Sequence, residues 1–122
     1  MIDIDDFKKY NDTHGHLAGD KLLSEIAKFF VTAVRSADVV FRYGGEEFVI
    51  LLPQKEKRGG VEVAKRIINI MKQKLPLTIS IGLACFPEDG ESKNELIKKS
   101  DSAMYQAKRL GKNRICIFGE QD

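Results

Sequence analysis

The strongest constraint on the fold is a repeated change of hydrophobic period along the chain. Short β-rich runs give way to segments whose apolar residues recur at helical spacing, and the alternation continues to the end. Residues 1–4 (Met1, Ile2, Asp3, Ile4) predict the end of a strand, apolar but interrupted by an acid. The stretch from Asp6 to Asp20 is polar and glycine-containing and predicts a loop with one short helical turn. From Ala18 to Arg35, Leu22, Leu23, Ile26, Phe29, Phe30 and Ala33 follow helical spacing and predict an amphipathic helix. The runs 39–43 and 48–52, divided by Gly44, Gly45, Glu46 and Glu47, predict an antiparallel hairpin whose glycines take the positive φ of a tight turn. A charged connection, 53–60, leads to a second helical stripe (Val61, Ala64, Ile67, Ile68, Met71). A strand over 77–85, a turn over 87–91, a third helix stopped near Gly111 and a last strand over 114–118 complete the chain. The order strand, helix, hairpin, helix, strand, helix, strand predicts an α/β (α+β) domain with a mixed central β-sheet covered by helices.

Bulk properties narrow the function classes. A length of 122 residues fits one domain over 1–122, large enough to bury a single core. With 43% hydrophobic and 31% charged residues the chain reads as globular and not as disordered. A formal charge of +2 with no block of like charges argues against nucleic acid as a partner. No apolar run approaches the roughly 20 residues needed to span a bilayer, and no signal-peptide pattern is present. Cys85 and Cys116 lie in strand-like runs without metal-ligand spacing and are expected to be buried thiols in a reducing compartment. These features together predict a cytoplasmic enzyme. The first strand has only Met1 and Ile2 ahead of Asp3, so the domain is expected to be incomplete at its N-terminus.

The acids carry the chemistry. Asp3 and Asp5 alternate along a strand end, so at most one is expected to face any given partner. The hairpin turn offers Glu46 and Glu47. An acid at a strand end beside an acid at a hairpin tip makes a hard-oxygen site suited to Mg²⁺ or Mn²⁺ and substrate phosphates. Gly44 and Gly45 let a bulky phosphorylated ligand approach the backbone, and Lys8, Lys108 and Lys112 are available to phosphate. The residues thus point to metal-assisted chemistry on a nucleoside triphosphate. The competing readings are an ordinary hairpin turn and a solvated helix end complementing the helix dipole. His14 and His16 read as plain loop histidines.

Four stretches then resemble a known family. Asp3 to Asp12 (DIDDFKKYND), with Gly15-His16 and Gly19-Asp20 after it, looks like the first signature of GGDEF domains, the diguanylate cyclase family. Residues 42–48 (RYGGEEF) look like the second, in its GGEEF variant. Residues 78–82 (TISIG), 101–108 (DSAMYQAK) and 111–113 (GKN) resemble the later ones. The resemblance implies a nucleotidyl-cyclase-like fold and condensation of two GTP into cyclic di-GMP and two pyrophosphates. It implies that Asp3, the carbonyl of Ile4 and Glu46 bind the divalent metal, with Glu46 also helping to deprotonate the ribose hydroxyl and Glu47 assisting the charge arrangement. It further implies that Phe7, Lys8, Lys108 and Lys112 contact phosphates, that Asn11 and Asp20 read the guanine edge, and that Gly44 and Gly45 make room for the nucleotide. Each domain would hold one GTP, so a homodimer is expected. Arg35 and Asp38 resemble the family's RxxD site, at which product binds and inhibits; a forked guanidinium and a carboxylate suit phosphate and guanine.

Two departures bear on these expectations. The helix and leader that family members carry ahead of the first strand are absent here, which makes the activity of this chain an open expectation. Lys112 stands where the family usually has arginine, keeping the charge but losing the bidentate fork. The alternative reading is a catalytically impaired module that binds GTP or cyclic di-GMP and signals to a partner; an intact signature favours the enzyme.

Overall fold

A computed structural model of the chain describes residues 1–120. The elements in chain order are β1 (Ile2–Ile4), α1 (Phe7–His14), α2 (His16–Thr32), β2 (Val39–Arg42), β3 (Glu47–Leu51), α3 (Lys57–Lys74), β4 (Ile79–Leu83), α4 (Lys93–Arg109) and β5 (Arg114–Ile117). They form a single five-stranded sheet in the order β2-β3-β1-β4-β5. The short central strand β1 pairs antiparallel with both β3 and β4, while β4 and β5 are parallel across the α4 crossover. The mixed sheet and the hairpin are as the periodicity predicts.

Strand register decides what each face carries. Ile2 stands opposite Phe48 and Ile81, and Ile4 opposite Ile79. These residues join Leu22, Ile26 and Phe30 of α2 and Ile67, Ile68 and Met71 of α3 in the main core. Fully burying such side chains contributes about 1.5–3 kcal/mol each. The rings of Phe30 and Phe48 meet edge to face at 5.3 Å, a geometry favoured by the aromatic quadrupole. The other face presents Asp3 between Glu47 and Ser80. There α4 lies against β4 so closely that a Cβ on Gly82 would collide with the backbone of Ser100 and Met104. Asp3 and Asp5 therefore face α4, beside a smaller apolar cluster of Met1, Val49, Ile97 and Met104, while the main core lies against α2 and α3.

Where the sequence predicts a loop over residues 6–20, the structure has helix. Asp6 takes a left-handed conformation (φ 58°), and α1 starts immediately after it. Gly15 (φ 89°) breaks the run, and α2 then starts at His16 rather than Ala18. The polar composition hid a helix because α1 buries only Phe7, too little for an apolar stripe to register. The hairpin glycines differ as well. Neither Gly44 nor Gly45 is among the positive-φ residues. The connection is wider than a two-residue turn, being closed by Tyr43 N and Gly44 N donating to the carbonyl of Glu47 (2.8 and 3.3 Å). Among the described residues no helix is long and apolar enough to cross a membrane. Cys116 is buried as expected, whereas Cys85 is only partly so.

Candidate active site

The site forms where β1 ends beside the hairpin tip. Ile4 N donates to the carbonyl of Glu46 (3.2 Å), which fixes the tip against the strand end. The Arg42 guanidinium braces the turn from below, donating to the carbonyls of Gly44 and Gly45 (3.0 and 2.9 Å). Burial, and then the charge of Asp3, push the Glu46 carboxyl above its ordinary range against the opposing pull of Lys108. Burial also raises Glu47, helped by Asp3, Asp101 and Glu46. Asp3 is raised by burial although Lys108 stabilises its charged form.

Lys108, on the last turn of α4, reaches across the sheet. Its Nζ lies 3.0 Å from Asp3 Oδ1 and 2.7 Å from Asp5 Oδ1. The expectation that Asp3 and Asp5 cannot share a partner is thus corrected. Residues two apart on a strand point to the same face, so one ammonium bridges both. Burial works against the Lys108 charge, but the hydrogen bonds to Asp5 and Asp3 outweigh it and raise its pKa. Among the described residues no group of three or more His, Cys, Asp or Glu side chains is placed to hold a metal. The donor set expected from the sequence needs only two carboxylates, Asp3 and Glu46, with one carbonyl, Ile4. That hard-oxygen donor set is of the chemical kind that Mg²⁺ or Mn²⁺ prefers.

The other expected site residues gather around this centre from different elements. Phe7 packs its ring into the core (5% exposed), so its backbone N–H at the start of α1 is the polar group it can offer a phosphate. Lys8 follows it on the exposed side of α1. Lys112 pairs with Asp6 (2.7 Å) from the loop after α4. Asn11 on α1 lies against Gly19 on α2, directly before Asp20. Its Oδ1 is buried without a hydrogen-bond partner among the described residues. A side-chain amide not spent on the protein suits a base edge. Gly45 has open space where a side chain would stand, while a Cβ on Gly44 would come within 2.8 Å of Glu47 Oε1. His14 stacks on Tyr10 (centroids 4.4 Å apart) and, with His16, stays outside the acidic site.

Arg35 and Asp38 form a closed pair away from the acids. Arg35 N and Nη2 donate to Asp38 Oδ2 and Oδ1 (2.8 and 3.2 Å), and Nη2 also donates to the carbonyl of Pro53 (3.0 Å). The Asp38 side chain is fully enclosed, and the Arg35 side chain is 52% exposed. Burial would raise Asp38, but the Arg35 hydrogen bonds hold it below its ordinary range.

Sequence reasoning passed over Asp5, which is 1% exposed and the most heavily bonded side chain of the site. Its position two residues from Asp3, in the turn just past the end of β1, was the available signal.

The family model for the diguanylate cyclase GGDEF domain matches residues 1–114. Diguanylate cyclase A of Treponema denticola is 40% identical over 125 residues, covering 96% of this chain and 34% of that protein. The GGDEF domain of YfiN (TpbB) from Pseudomonas aeruginosa superposes with a TM-score of 0.90 at 33% identity, over 98% of this chain and 80% of that one. The GGDEF domain of DgcB from Caulobacter crescentus, solved in complex with c-di-GMP, gives 0.89 at 27% identity, over 98% and 75% of the two chains. The chain spans about a third of the length of the Treponema relative. With the two signature segments brought together at one strand end, and the match running from Met1 through Arg114, this chain belongs to the GGDEF-domain family of diguanylate cyclases.

Proposed function

We propose that this chain is a diguanylate cyclase, joining two GTP molecules into cyclic di-GMP. The observation that carries the reading is the convergence of Asp3, Glu46 and Lys108 at one strand end, beside the start of α1. Asp3, the carbonyl of Ile4 and Glu46 would hold Mg²⁺ or Mn²⁺, which when bound supplies charge stabilisation at the GTP phosphates. Lys8, Lys108, Lys112 and the first N–H groups of α1 would hold the phosphate oxygens. Asp20 would accept from guanine N1–H and N2–H₂, with Asn11 at the other edge. Open space at Gly45 leaves the hairpin tip free for the nucleotide.

The 3′-oxygen of one GTP attacks the α-phosphorus of the other as the bond to pyrophosphate breaks. The hydroxyl proton would pass to a carboxylate, for which Glu46 at the hairpin tip is the candidate. Glu47 contributes negative charge beside it. Two such steps yield cyclic di-GMP and two pyrophosphates. Each site holds one GTP, so two copies of the chain face each other in a homodimer, at least transiently. Alignment by that dimer supplies the effective concentration of the attacking hydroxyl. Product binding at Arg35 and Asp38 would slow turnover; a forked guanidinium and a carboxylate suit the phosphate and guanine of cyclic di-GMP.

Product analysis after incubation with GTP and Mg²⁺ or Mn²⁺, with Glu46→Ala as control, tests the proposal. Cyclic di-GMP from the unaltered chain alone is the expected result. Retained GTP binding with no product from either would instead indicate a nucleotide-binding signalling module. Cyclic di-GMP added at the start should slow the unaltered chain and leave Arg35→Ala unaffected.

A further inference from the structure

Asp5 is saturated in a way no other carboxylate of the site is. Oδ1 accepts from Ser80 Oγ and Lys108 Nζ, both at 2.7 Å, and Oδ2 accepts from Thr78 Oγ1 at 2.7 Å and from the backbone N–H of Asn113 at 3.0 Å. Its own N–H donates to the carbonyl of Thr78 at 2.9 Å. One side chain thus ties the end of β1 to β4, to the last turn of α4 and to the loop after it. That loop holds three consecutive residues at positive φ, Gly111 (120°), Lys112 (65°) and Asn113 (51°). Two of them are not glycine, a conformation that persists only where surrounding bonds enforce it. The Asp5–Asn113 bond is one such restraint, and the Lys112–Asp6 ion pair is another.

Lys108 stands between two carboxylates of different standing. Asp3 is partly exposed and stands opposite Glu47, whereas Asp5 is sealed and already bonded on every side. Building on the metal-site reading above, we propose that Asp5 is a positioning residue that anchors Lys108, so that Asp3 can pass to a divalent cation while the ammonium stays in place for phosphate. The two carboxylates divide the labour. With Asp3 committed to a divalent cation, Lys108 would keep its Asp5 bond, and the N–H now on Asp3 would be free for a phosphate oxygen. Without Asp5, Lys108 has Asp3 as its one anionic partner and competes with the metal for it. Lys108 is then an obstacle to metal binding and an aid to nucleotide binding, and Asp5 sets the balance.

The test is a double-mutant cycle read by Mn²⁺ binding without nucleotide, with GTP binding measured in parallel. Asp5→Asn keeps the shape and can still bond to the Thr78 and Ser80 hydroxyls. The expected results are weaker Mn²⁺ binding for Asp5→Asn, tighter binding for Lys108→Gln, and weaker GTP binding for both. The Asp5→Asn effect on Mn²⁺ should shrink at least about threefold when Lys108 is already Gln, the scale of coupling between contacting residues. Equal weakening in both backgrounds would mean that Asp5 acts as a bare charge, and the proposal fails. Should Asp5→Asn not fold, Lys108→Gln alone decides: unchanged or weaker Mn²⁺ binding overturns the proposal. Asp3→Asn separates the two levels of the reading. Its loss of Mn²⁺ binding is expected, and its retention would overturn the metal site itself along with the role given to Asp5.

Discussion

Gly19 makes room for Asn11. A Cβ added to Gly19 would stand 2.8 Å from Asn11 Cγ and 3.2 Å from Phe7 Cζ, and would overlap Asn11 Oδ1 outright. Phe7 is held in the core, so the amide must move. Gly19→Ala is therefore expected to raise the KM for GTP about tenfold, the effect of one displaced hydrogen-bonding group, with a smaller change in kcat. Discrimination between GTP and 7-deaza-GTP, which lacks the N7 acceptor on the edge assigned to Asn11, should change in the same variant, and a purely structural lesion would leave that ratio untouched. Steady-state kinetics with both nucleotides checks this.

Glu46 is expected to trade stability for function. Burial and the neighbouring Asp3 charge raise its pKa, so the folded state disfavours its ionised form. A carboxyl whose folded pKa lies above its unfolded value of 4.5 contributes stability below that value and loses it as pH rises through the folded pKa. At neutral pH it is a cost. Glu46→Gln should therefore stabilise the metal-free protein by about 0.5–1 kcal/mol while abolishing product formation. Urea melts at pH 7 and pH 4 test the sign, because the gain should shrink at the lower pH.

The architecture was legible because strands and helices each announce themselves by period. Ile2, Ile4, Ile79 and Ile81 alternate with polar residues, and α2 and α3 carry clear stripes. The acids at the strand end and hairpin tip were legible for the same reason. What escaped was set by tertiary contact. The helix α1 has only Phe7 to bury, and the roles of Asp5 and Gly82 come from partners far along the chain, such as Lys108 and Met104. No local window carries such pairings. Asp38 is a related case: that its carboxylate would be buried and bonded to Arg35 from the same turn could not be read from its type and position.

That enclosure gives Asp38 a measurable structural weight. Asp38→Asn keeps the size but removes the charge from the bonds with Arg35, at an expected cost of about 1–3 kcal/mol. The pKa of Asp38 is depressed below its ordinary 3.8. Its contribution is thus present above that pH and lost as pH falls through the lower folded value. Thermal melts of the two proteins should differ at pH 7 and converge in acid.

Gly82 holds the last piece of the site in register. A Cβ there would overlap the carbonyl oxygen of Ser100 and the amide nitrogen of Met104, both of them backbone atoms of α4. Backbone cannot rotate aside as a side chain does, so the helix must lift from the sheet or the strand must shift. Gly82→Ala is expected to cost about 1–3 kcal/mol, the range for overpacking. The same displacement acts on Lys108, one turn beyond Met104 on that helix, and on its 2.7 Å bond to Asp5. GTP binding should therefore weaken in Gly82→Ala even at temperatures where the variant is fully folded. A conservative substitution at an exposed position of α4, Lys98→Arg, should change neither the melt nor the binding. A variant that melts early yet binds GTP normally would show that α4 tolerates lifting without losing Lys108.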